Sequence, residues 1–228
     1  MKKQILLTVV GMLMTAVVSV AGTLAYLTDS DSNVNTFTIG RVDIQLDEAD
    51  VDEEGKLILD NEGNPVDRVK KNEYHLIPGQ TYIKDPTVTV QADSESAYIR
   101  MILTVHNASA VQTILDKYEL GDFSVLIGGW DKNIWLYQGF TTDAENNTIS
   151  FEFRYKEPVG AKDESLKLAP LFKTLIVPEK ANNEELKTLY EGGFQMVVYG
   201  HAIQAAGFAD ADAAWTAFDE QMKDSVTP

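Results

Sequence analysis

Residues 148–155, TISFEFRY, set Ile149, Phe151, Phe153 and Tyr155 against Ser150, Glu152 and Arg154. That alternation of period two fits a strand with one face in a core, and it would scatter apolar groups around a helix. Residues 97–106, AYIRMILTVH, repeat it, with Ile99, Met101, Leu103 and Val105 opposed to Tyr98, Arg100, Thr104 and His106. Further strands are expected at 42–47, 81–91, 123–127, 134–138, 172–177 and 194–203, divided by clusters of Gly, Pro, Asn and Asp. Helical spacing replaces the alternation at 109–120, 183–190 and 209–223, where Asp210 or Asp212 can cap a helix carrying Ala214, Trp215, Phe218 and Met222 on one side. Residues 50–72 are acidic and turn-rich and read as an inserted surface hairpin. The expected fold class is all-β with short decorating helices, an antiparallel β-sandwich.

The chain ahead of these strands imposes a second constraint. From Ile5 to Thr28 no residue is charged, and Lys2 and Lys3 stand just before. A basic start followed by an apolar stretch is the pattern of an export signal, and the small residue at Ala25 favours cleavage between Ala25 and Tyr26. An uncleaved anchor is the alternative, since the run could span a bilayer. Residues 1–25 are thus expected to be a signal peptide, and 26–228 a single secreted domain. Losing Lys2 and Lys3, with no acid, takes the net charge from −16 to −18. So acidic a surface repels nucleic-acid phosphates and offers only weak sites to divalent cations. With no cysteine there is neither a disulfide framework nor a thiolate metal site, so stability rests on core packing.

Catalytic motifs are scarce. His75, His106 and His201 lie far apart in sequence, without the HExxH spacing that places two zinc ligands on one helical face. No GxSxG elbow, P-loop or GxGxxG is present. Residues 29–35, DSDSNVN, begin like a calcium loop, but Val34 stands where glycine is needed and Gly40 where the bidentate glutamate should be. No catalytic, cofactor or metal residue is therefore assigned. Trp130, Trp135, Tyr137 and Phe140 fit sheet or core positions better than a sugar platform.

Four blocks, GTLAYLTDSDSNVNTFTIGRVDIQL (22–46), LIPGQTYIKDPTVTV (76–90), AYIRM (97–101) and GHAIQAAGFADADAAW (200–215), resemble the exported TasA/camelysin family of Gram-positive bacteria. The resemblance implies a jelly-roll-like sandwich, released by a dedicated signal peptidase, that assembles head to tail into biofilm matrix or cell-surface fibres. Each subunit would donate its freed N-terminal strand to the next, and minor matrix or anchoring proteins are possible further partners. The donor candidate is 26–40. Within it Val34, Phe37 and Ile39 offer apolar side chains, and Gly40 is the hinge, because Val42, Ile44 and Leu46 resume the alternation out of phase. The same residues could equally be the first strand of a monomer, bent at a bulge. Two other functions stand beside the structural one. One is a camelysin-like metallopeptidase using the scattered histidines, the other a secreted module binding glycan or host protein through an aromatic cleft at Trp130 and Trp135.

Overall fold

The computed structural model describes residues 28–30 and 41–226, with side chains over 41–223. Ala25, Tyr26, Val34, Phe37, Ile39 and Gly40, and with them the cleavage site and the hinge, lie outside the described residues. What is described is mostly β-strand in antiparallel sheets with three short helices.

The largest sheet runs in the order β1 (Thr28–Ser30), β12 (Met196–Gln204), β5 (Ser94–His106), β8 (Thr148–Tyr155), β7 (Trp135–Asp143), with β9 (Val159–Ala161) pairing the start of β5. A second sheet orders β10 (Leu166–Lys167), β4 (Thr87–Val90) and β2 (Ile44–Asp47). A third orders β3 (Thr81–Ile83), β11 (Thr174–Ile176) and β6 (Ile127–Gly128). The alternation of β5 and β8 does what it should: Ile99, Met101, Leu103 and Phe153 are buried, and they meet Ile44, Val88 and Val90 of the second sheet in one core. Gly200 lets β12 approach that sheet, since a Cβ there would already touch Val88, Ile44 and Leu46.

The helices cover what the sheets leave open. α1 (Ala108–Lys117) and α2 (Asn183–Glu191) bury Val111, Ile114, Leu115, Leu186 and Leu189 beside Tyr82 and Leu175 in a second core. α2 starts in a capping box, Asn182 with Glu185, that satisfies two otherwise orphaned backbone donors. α3 (Ala211–Val226) starts where the Asp210 carboxylate accepts from the Ala213 N–H at 2.9 Å, and it lays Ala214, Trp215 and Phe218 over the other face of β12 and β5. Burying two such aromatics stabilises the fold by about 1.5–3 kcal/mol each. Met222, expected on the same stripe, is exposed.

Three expectations need correction. The segment 81–91 is two strands in different sheets, because Pro86 has no N–H to give a ladder and Lys84 and Asp85 turn the chain. Residues 123–126 form a 3₁₀ turn, nucleated by the Asp122 carboxylate accepting from the Ser124 N–H, that buries Phe123 and Leu126. The excursion 50–72 is a hairpin-like loop with bridges Val51 to Leu57 and Leu59 to Pro65, yet it is not purely superficial. Val51 is buried, and Gly55, at φ +75°, rests on Tyr82 so closely that a Cβ would stand 2.8 Å from the Tyr82 Cα.

Candidate functional site: the groove beside β12

Beyond Ser30, which stands opposite His201, no strand of the described residues pairs the outer edge of β12 along 196–200. That stretch opens onto a groove of about 1230 Å³, bounded by β2, the segment 70–77 and α2. Its size exceeds the ~300–1,000 Å³ of small-molecule pockets and suits a length of polypeptide better.

The floor is mixed. Leu46, Leu76, Phe194, Met196 and Val198 supply apolar surface. Among them lies a buried ion pair, Lys84 Nζ to Glu48 Oε2 at 2.7 Å, held from the other side by Asn72, whose amide donates to Glu48 Oε1 at 3.0 Å and to the Ala49 carbonyl at 2.9 Å. Both charges are nearly excluded from water, so either one alone would be costly there. The Tyr74 hydroxyl donates to the Ile83 carbonyl at 3.1 Å; burial first, and the Glu48 charge second, raise its pKa and keep it neutral. Lys70, Lys71 and Lys187 line the groove together with Glu53 and Glu73, Lys71 pairing with Glu73 at 2.7 Å, and Tyr190 is exposed beside them. The carboxylate and amide of the floor are committed to structural partners.

The histidines do not converge. His75 lines the groove, His106 ends β5 opposite Thr148, and His201 lies on the opposite face of the sheet beneath α3. His201, expected on an ordinary outer face, is largely buried, with its ring 5.0 Å from that of Phe218 and its Nδ1 accepting from Arg100 Nε at 3.1 Å. Among the described residues no three His, Cys, Asp or Glu side chains gather as a metal site would require. Trp135 is fully buried, its indole donating to the Ala169 carbonyl at 2.9 Å, and cannot serve as a platform. Tyr137 and Phe140 are the exposed aromatics of that region.

Sequence pattern missed the groove, because its walls come from segments more than a hundred residues apart. No helix among the described residues is long and apolar enough to cross a membrane. Comparison with protein-family models, characterised proteins and solved structures returned no match.

Proposed function

We propose that this chain is a secreted structural subunit with a jelly-roll-like sandwich fold that assembles head to tail into extracellular matrix or cell-surface fibres, without catalysis of its own. The observation that supports this reading is the polypeptide-sized groove that borders Met196–Val198 of β12. An exposed strand edge is a template for a further strand: main-chain hydrogen bonds give affinity and pockets for alternate side chains give specificity.

The neighbour's residues 26–40 are the proposed occupant. This chain's own Thr28–Ser30 pairs Ile203–His201, so a donated strand would take the place of that β1 and, keeping its register, would bring residues 31–35 opposite 200–196. Alternation then puts Phe37 and Ile39 on the face shared by Met196 and Val198, toward the apolar floor beside Phe194.

The test is deletion of residues 26–39, and separately F37D with I39D, scored by electron microscopy and thermal unfolding. Fibres should disappear in both while the unfolding transition persists, because two unpaired carboxylates in the acceptor groove cost several kcal/mol, the scale of a micromolar contact. Fibres from the deletion variant, or a deletion variant that is unfolded while the intact protein is a stable monomer, would sink the reading.

A further inference from the structure

At the opposite edge of the same sheet β7 runs for nine residues, Trp135–Asp143, with β8 on one side and no strand of the described residues on the other. Strand edges in soluble proteins are ordinarily blunted by lysine, proline or brevity. Here residues 135–142, WLYQGFTT, carry no charge and no proline in a chain of net charge −16. Leu136, Tyr137 and Phe140 are 40%, 44% and 60% exposed. The one blunting device is a bulge between Tyr137 and Gly139, where Gly139 takes φ +136°.

The ends of the strand differ in charge. Lys132 with Asp131 precedes it, neutral as a pair, while Asp143 and Glu145 close it, and all four side chains are exposed. Neither Lys132 nor Glu145 belongs to an ion pair among the described residues. Two β7 strands laid antiparallel would therefore bring Lys132 of each toward the acidic end of the other, while a parallel pairing would set the two acidic ends together. The overall acidity would repel a second copy elsewhere, and this uncharged strip, with Lys132 facing the partner's acidic end, is where approach is least opposed.

We propose that β7 is a self-docking edge, at which two copies pair antiparallel about a two-fold axis near the middle of the strand. The contact is isologous and closes on itself, so it links subunits sideways and cannot by itself propagate. A nine-residue edge buries less than the roughly 800 Å² per partner of a standard interface, so the contact gains strength where many copies are aligned. It stands or falls independently of strand donation, because it uses the other edge of the sheet.

A cysteine-free chain allows a clean test on the full-length protein. Single variants L136C, Q138C, F140C and T142C, with Y190C as a distant exposed control, are oxidised mildly and the disulfide-linked dimer is followed in time. A disulfide needs Cα atoms within about 7 Å, so a two-fold axis makes the rate peak at Q138C or F140C and fall toward both ends, exceeding the control roughly tenfold. K132E should suppress the peak, and K132E combined with E145K should restore it. Rates no greater than the control, a peak at either end, or a double variant that stays suppressed although folded by circular dichroism would overturn the proposal. So would preferential cross-linking of Q138C to F37C in mixtures, which would make the N-terminal segment the occupant.

Discussion

Arg100 lies on β5 with its guanidinium 4.6 Å from the ring of Trp215 and 4.8 Å from that of Phe218, and it donates to both Asp219 oxygens and to His201 Nδ1. That last bond fixes His201 as neutral at this nitrogen, since only an unprotonated nitrogen accepts. Burial, and then the Arg100 charge, lower the His201 pKa to about 4, while Asp219 acts the other way. The unfolded chain, with an ordinary histidine near 6.5, takes up its proton first on acidification. Stability from this group is therefore complete above about pH 6.5 and is lost as pH falls toward 4, by up to about 3 kcal/mol. H201Q should flatten that part of the pH dependence: the fall in Tm between pH 7 and pH 4.5 shrinks relative to the unsubstituted protein. Equal falls in the two proteins would show that His201 is not a sensor of acid. The buried Trp215 indole N–H finds no acceptor among the described residues.

Arg68 plays a comparable part for a whole element, the excursion 50–72. Its fork pairs with Asp47 and Asp85, and it donates to the carbonyls of Asp47 and Asp85 and to the Thr87 hydroxyl, at 3.1, 2.9 and 3.0 Å. The loop is thereby riveted to β2 and to the start of β4. A lysine offers one point charge and cannot reproduce that fork. R68K should cost about 1–3 kcal/mol and raise hydrogen exchange in 50–67 more than in β5, a pattern that mass spectrometry can read. Uniform exchange in both regions would contradict the anchoring role. Such a clamp illustrates what the sequence could and could not reveal. The bounds of β8 were legible because nothing competes with its alternation. The burial of Arg100 and Thr104 on the supposedly open face of β5 was not, because the cover over Arg100 comes from a helix more than a hundred residues later. β9 and β10 are too short for any period to show, and in 123–127 Phe123 and Leu126 satisfy a 3₁₀ turn as well as a strand. The groove was invisible for the same reason as the cover: local pattern reports which face is apolar, and it does not report what lies across from it.

For the molecule as a whole the dominant pairing is remote. β5 and β12 match residue for residue from Ala97 with Gln204 to Val105 with Met196, about a hundred positions apart, and Thr28 closes against Ile203. Topologies of this kind fold in milliseconds to seconds, because loop closure must be paid before the contacts form. Stopped-flow refolding in that range is expected; sub-millisecond folding would contradict it. A chain ending at residue 195 should fail to fold although it retains β5, β8 and β7 entire, as judged by loss of a cooperative transition. A native-like transition in that truncation would show that β12 is dispensable. At a synthesis rate of roughly 5–20 residues per second, β5 waits about 5–20 s for its partner to be made. Throughout that interval its apolar face and one whole edge are bare, and the closing act belongs to the C-terminal fifth of the chain. The timing of maturity is thus written into the strand order.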